Sequence, residues 1–165
     1  QCIAGGRRDT VCMEGDGSIM MNMQELQTIV TNRLPIKIFL INNQGYHSIR
    51  ITQNNLFAEH SKVGIGPESH DLSFPQFEKI AAAFGIPYRA AHSNAQVKED
   101  AEWAFETKGC TFCEIFTDTK QVWEPKSSAK RLPDGTLVSP PLEDLAPFLP
   151  REELKAQLYI PMMEE

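Results

Sequence analysis

Apolar positions along the chain fall into short runs that alternate between two periods. Residues 10–14 (TVCME) are short and β-prone and stop at Gly15, which predicts a buried strand. From Asn22 to Arg33 the residues Met23, Leu26, Ile29 and Val30 recur at helical spacing, and Asn22 with Glu25 three positions on has the form of a capping box. Leu34-Pro35 should end that helix. The run IKIFLI at 36–41 is almost continuously apolar, as a parallel strand covered on both faces must be. Residues 43–73 are rich in Asn, Gln, Gly, Ser and His and read as a long functional loop, mobile without a ligand. The pattern then resumes with a helix over 74–84 (Pro75 in its first turn, Gly85 as its stop) and a strand over 88–91. A helix from Ser93 or Asn94 to Thr107 follows, closed by Lys108-Gly109, and then a strand over 110–117. Beyond Asp118 the pattern is broken by Pro125, Pro133, Pro140, Pro141, Pro147 and Pro150, and only 151–158 reads as a short helix.

Strand and helix in alternation, with short connections, predict an α/β fold: a three-layer, doubly wound parallel sheet with helices on both faces. Ligands bind such sheets beyond the carboxyl ends of the strands. The α/β domain is expected over 1–120. Residues 121–165 are expected to form an extended C-terminal tail that packs on the domain or on a neighbouring subunit. The opening QCIAGG has no Met and reads as the end of a helix stopped by Gly5-Gly6, so the chain is expected to be a fragment of a longer protein.

Composition excludes several classes without naming one. At 41% hydrophobic and 23% charged residues, with net charge −6, the 165-residue chain is ordinary for a globular domain. It has no basic surplus for nucleic acid or an acidic membrane. No apolar run reaches the roughly 18 residues that span a bilayer, and Arg7, Arg8 and Asp9 near the start do not suit a signal peptide. Cys110 and Cys113 form a C-x-x-C string, but on a strand positions i and i+3 face opposite ways. With no second pair of ligands, two small buried hydrophobes are the better reading than zinc or redox chemistry. Four thiols suit a reducing cytoplasm.

The candidate chemistry lies in Gly15-Asp16-Gly17-Ser18 and Asn42-Asn43, each at the carboxyl end of a predicted strand, with Asp16 and Asn43 27 positions apart. Glycines at 15 and 17 permit a tight turn and let backbone N–H groups approach a phosphate. Asp16 supplies a hard anionic oxygen for Mg²⁺ or Ca²⁺, Asn43 a neutral amide oxygen, and Gly45 a backbone carbonyl. Such a set suits Mg²⁺, which prefers substrate phosphates to a full protein cage. Taken alone, G-D-G is most often a turn; the pairing with Asn43 one βαβ unit away carries the weight. His60, His70 and His92 have no partner spacing and default to structural or surface roles.

GDGS followed by NNQGY resembles the thiamine-diphosphate signature of the acetolactate synthase group, which includes relatives such as pyruvate and benzoylformate decarboxylase. The QELQTIV helix, the LPIKIFLINN strand and the PLEDLAPFL tail resemble the same group. The resemblance implies the thiamine-diphosphate-binding fold, with Asp16, the Asn43 side chain and the Gly45 carbonyl as Mg²⁺ ligands. It implies that Gly15, Gly17 and Ser18 cradle the diphosphate and that Tyr46 lies close to the cofactor, with His47 and Ser48 bordering the reaction space; for His47 a surface or loop-packing role is the stronger reading. It implies decarboxylation of a 2-keto acid such as pyruvate and transfer of the resulting aldehyde unit to an acceptor. No catalytic residue is expected in this chain, because the activating Glu belongs to a separate pyrimidine-binding domain, usually from a partner subunit of a homodimer or homotetramer. FAD, found in some relatives, stays open for the intact enzyme and has no site here. Biosynthetic members carry a Met and a Trp just after the Asn pair; NNQGYHSIRITQNNLF has neither, which counts against acetolactate synthesis itself. The alternatives are a carboligase of surface-polysaccharide sugar synthesis and a non-catalytic or regulatory cofactor-binding module.

Overall fold

The computed structural model describes residues 1–57 and 62–161. These form two compact units, Gln1–Thr119 and Lys120–Glu165. The first is built on β1 (Thr10–Gly15), α1 (Asp16–Ile19), α2 (Glu25–Thr31), β2 (Ile36–Asn42), α3 (His47–Phe57), α4 (Phe77–Ala83), β3 (Tyr88–Ala91), α5 (Asn94–Glu106) and β4 (Thr111–Phe116). A 3₁₀ turn covers Pro67–Ser69. Its four strands run parallel in the order β1-β2-β4-β3.

Alternation along the central strands separates two apolar layers. Ile38 and Leu40 of β2 and Phe112 of β4 face Leu26 of α2 and Phe77 and Ala81 of α4. Phe39 of β2 and Cys113 of β4 face Ala104 of α5 on the other side. Helices therefore cover both faces, as the pattern predicts. Burying side chains of this size contributes about 1.5–3 kcal/mol each, which fixes where the strands end. The register sets Gly15 of β1 beside Ile41 of β2. The two motif-bearing ends thus emerge side by side. Cys110 packs against the first layer and Cys113 lies in the second, so the C-x-x-C thiols do point apart, and all four cysteines are free.

One charge lies inside the apolar strand β2. Lys37 is buried, and its Nζ donates to the carbonyls of Thr107 (2.5 Å) and Gly109 (2.7 Å). The ammonium thereby satisfies carbonyls left open at the C-terminus of α5.

Four expectations need correction. Residues 43–73 are not one loop: α3 occupies His47–Phe57. Its buried residues are His47 and Arg50 rather than apolar side chains, so no hydrophobic stripe announces it. The capping box of Asn22 and Glu25 does not form. The chain instead winds through backbone bonds of the i→i+3 kind from Met21 to Gln27, and α2 starts from Gln24 with no side-chain cap. The helix expected from Phe74 begins at Phe77, after an extended Gln76. The strand expected from Cys110 begins at Thr111. Elsewhere Ser93 caps α5, its side chain accepting from the Gln96 amide.

The second unit holds a short antiparallel pair, β5 (Lys130–Arg131) with β6 (Leu137–Val138), and α6 (Arg151–Gln157). Arg151 makes a two-pronged ion pair with the buried Asp144 carboxylate. That guanidinium holds the Asp144 carboxyl below its ordinary range. Among the described residues no helix is long and apolar enough to cross a membrane.

Candidate functional site

Where β1 ends, the chain turns at once into α1, and Asp16 becomes one of the most buried residues of the molecule at 1% exposure. Its Oδ1 accepts from the Gly17 amide at 2.8 Å and its Oδ2 from the Gly45 amide at 2.9 Å. The second bond joins the β1 end to the turn after β2. Desolvation raises the Asp16 carboxyl above its ordinary 3.8, and the backbone amides of Gly45, Gly17 and Gln44 and the charge of Arg50 offset part of that rise.

The turn after β2 is held on both flanks. Asn42, the last residue of the strand, donates from Nδ2 to Glu114 Oε1 (2.5 Å) and accepts the Gln44 amide on Oδ1 (3.0 Å). Glu114 is buried in β4 and also takes the Tyr88 hydroxyl on Oε2 at 2.5 Å. Desolvation and that carboxylate push the Tyr88 hydroxyl well above its ordinary range. From the other flank, Arg50 Nη1 donates to the Asn43 carbonyl (3.1 Å) and Nη2 to the Gln44 carbonyl (2.7 Å).

The turn itself needs unusual backbone. Gln44 has φ +56 and Gly45 φ +137. A Cβ on Gly45 would lie 1.8 Å from the Ile65 carbonyl oxygen. The close approach is mutual, because a Cβ on Gly66 would meet the Gln44 carbonyl oxygen at 2.3 Å, and the Tyr46 amide donates to Ile65 O at 2.8 Å. Glycine is required here by space as well as by φ.

Asn43 is the informative side chain. Its Oδ1 is buried and, among the described residues, has no hydrogen-bond partner. A lone pair left so costs about 1–3 kcal/mol. A second acceptor, the desolvated Asp16 carboxylate, bonds to the same turn. A desolvated carboxylate and an amide oxygen without a donor, tied to the same turn, are the kind of oxygen ligands a hard cation takes.

The remaining predicted residues are placed as follows. Gly15 is extended (φ −90) and open, with Ser18 Oγ 3.8 Å from its virtual Cβ. Gly17 has no positive φ; its glycine is required because a Cβ would lie 2.5 Å from the Tyr46 ring. β1 passes into α1 without a left-handed residue, so neither glycine is required there by φ. The Gly17 amide is engaged by Asp16, and Ser18 is exposed. Tyr46 donates to the Gly17 carbonyl at 3.2 Å and packs edge-on against Phe74. His47 is buried, and its Nδ1 lies 3.1 Å from Arg50 Nη1; a guanidinium has only donors, so Nδ1 accepts. Ser48 is exposed on α3. His92 stacks on Phe116, His70 ends the 3₁₀ turn, and His60 lies outside the described residues.

Arg50, Glu68, Glu114 and Tyr88 were not singled out from the sequence. A signal for Glu114 was there: a charge inside the strand CTFCEIF is costly to bury unless paired. Arg50, three residues after His47, gave none until α3 was known to be a helix.

Fold and site together define a class, a doubly wound α/β domain whose adjacent strand ends present a buried carboxylate and an unsatisfied amide oxygen. Residues 2–115 match the family described as "Thiamine pyrophosphate enzyme, C-terminal TPP binding domain", and the chain belongs to that family. Among curated relatives, chloroplastic acetolactate synthase of Arabidopsis thaliana is 35% identical over 101 residues, covering 60% of this chain and 15% of that protein. The acetolactate synthase isozyme 2 large subunit of Escherichia coli is 33% identical over 114 residues, covering 68% of this chain and 20% of that protein. The chain thus spans a fifth or less of these two relatives. Among solved structures, the thiamine diphosphate-dependent 4-hydroxybenzoylformate decarboxylase of Rhodococcus jostii RHA1 superposes with a TM-score of 0.62 at 19% identity, over 73% of this chain and 22% of that one. The benzoylformate decarboxylase of Polynucleobacter necessarius gives a TM-score of 0.61 at 18% identity, over the same shares. At such identity these two show the fold.

Two outcomes follow from the geometry. Gly45→Ala, strained in φ and blocked by Ile65, should destabilise the protein by about 1–3 kcal/mol or more, whereas Gly15→Ala should stay within about 0.5 kcal/mol. Urea denaturation of both variants checks this, and equal midpoints would contradict the close approach. In cation-free protein the Asp16 carboxyl should titrate above 3.8 by carbon-detected NMR. Because the folded value is raised, the Asp16 contribution to stability is full below the unfolded value and is lost as pH rises through the folded one. A midpoint at or below 3.8 would contradict the desolvation.

Proposed function

We propose that this chain is the thiamine diphosphate- and Mg²⁺-binding C-terminal domain of a larger acetolactate synthase-like enzyme. That enzyme decarboxylates a 2-keto acid, with pyruvate as the first candidate, and passes the resulting aldehyde unit to an acceptor. The observation that carries the reading is the buried Asn43 Oδ1 without a donor, on the turn whose Gly45 amide bonds to the desolvated Asp16 carboxylate. Membership of the family and identity to acetolactate synthases support it.

In this reading Asp16, Asn43 Oδ1 and the Gly45 carbonyl hold Mg²⁺, and Gly15 and Ser18 border the diphosphate. The Gly17 amide is already bonded to Asp16, so its part is to make room for Tyr46. When bound, the cofactor supplies the electron sink for loss of carbon dioxide from the keto acid. The chain's own residues bind and orient one end of it. Tyr46, anchored on Gly17 and Phe74, forms a fixed wall beside that end. The activating Glu is proposed to lie on a pyrimidine-binding domain outside this chain, in a homodimer or homotetramer. The four free thiols are compatible with the reducing cytoplasm proposed for it. The absence of Met and Trp after Asn43 favours an acceptor other than that of the biosynthetic synthases.

Calorimetric titration of the full-length enzyme with thiamine diphosphate should show Mg²⁺-dependent binding that Asp16→Ala removes. Steady turnover of pyruvate should accompany it. Wild-type protein that binds no cofactor would overturn the reading, and unchanged affinity in Asp16→Ala would remove the metal assignment.

A further inference from the structure

Arg50 is a buried charge on α3, 3% exposed. Each nitrogen of its guanidinium has a partner. Nη1 reaches the Asn43 carbonyl and His47 Nδ1, both at 3.1 Å, and Nη2 reaches the Gln44 carbonyl at 2.7 Å. Nε donates to Glu68 Oε2 at 3.0 Å, and Glu68 in turn takes Lys62 at 2.6 Å. One side chain on α3 thus ties the turn after β2 to the segment that carries Gly66 and Glu68.

Burial of a guanidinium is costly, so its placement calls for a reason. The turn supplies one. Gln44 is a non-glycine residue at φ +56, a strained conformation that persists only when the surroundings enforce it. Two bonds enforce it: the Gln44 amide to Asn42 Oδ1 and the Gln44 carbonyl to Arg50. Relaxation of Gln44 would rotate the peptide leading to Gly45, whose amide meets Asp16, and would swing the adjoining Asn43.

We propose that Arg50 is a positioning residue for cation binding, holding Gln44 in its left-handed conformation so that Asn43 Oδ1 and the Gly45 carbonyl are pre-aimed at the ion. This rests on the cation site of the preceding subsection. Two consecutive carbonyls are engaged by two nitrogens of one planar fork, which a lysine ammonium cannot reproduce. Glu68 orients the fork from the solvent side, being 44% exposed against 4% for the Arg50 side chain.

The test is metal affinity in the full-length enzyme at saturating thiamine diphosphate, read by calorimetry with Mg²⁺ and by Mn²⁺ electron paramagnetic resonance. Arg50→Met should weaken the metal about 10–100-fold, a larger change than any in kcat at saturating metal. Arg50→Lys should remain weakened. Glu68→Gln, at a half-exposed position, keeps the test decisive if Arg50→Met fails to fold; it should weaken the metal by up to about 5-fold. An unchanged metal constant with only a lower melting temperature would overturn the proposal, as would full rescue by Arg50→Lys or a loss confined to kcat. Wild-type enzyme that shows no metal-dependent binding would sink the cofactor reading itself, whereas normal wild-type binding with unaltered variants would sink only the role of Arg50.

Discussion

The withdrawal of the Asp16 carboxylate from water is the constraint around which this domain is arranged. The carboxylate is desolvated at the end of β1 and bonded to the Gly45 amide, 29 residues further along the chain. A buried anion satisfied only by backbone amides is tolerated at a cost. In the proposed reading a cation offsets that cost, with Asn43 Oδ1, which has no donor among the described residues, as a further ligand. The site is therefore best understood as an incomplete electrostatic arrangement that a bound ion would close.

Everything nearby keeps that arrangement from relaxing. Glu114 and Asn42 brace the turn from the sheet, Arg50 braces it from α3, and the glycine pair 45 and 66 lets the segment at Ile65 press directly on it. These braces are anchored in turn by the two apolar layers, which fix β2 and β4 in register so that Asn42 and Glu114 meet. Buried polar groups with every partner in place specify a single geometry. Precision at the strand ends thus descends from packing of Ile38, Leu40 and Phe112 well below them.

The parallel sheet was legible in the sequence because its strands obey one rule, continuous apolar runs between helical periods. IKIFLI and CTFCEIF show it even with Lys37 and Glu114 embedded in them. Asp16 and Asn43 were legible as a pair because each follows such a run. What escaped was polar on the inside. α3 hides His47 and Arg50 rather than leucines, so hydrophobic periodicity could not detect it. The hairpin of β5 and β6 was missed although Pro133-Asp134-Gly135 at its tip is a turn sequence. The reason for Gly17 was also hidden, since room for an aromatic ring 29 positions away leaves no local trace.

The most direct measurement is a crystal structure of the full-length enzyme with thiamine diphosphate and Mg²⁺, refined well enough to fix the ligands of the ion. The account predicts Asn43 Oδ1 and an Asp16 carboxylate oxygen at about 2.0–2.1 Å from Mg²⁺, with the Arg50 bonds to residues 43 and 44 intact. An ion coordinated without Asn43, its Oδ1 still unpartnered beside it, would contradict the account.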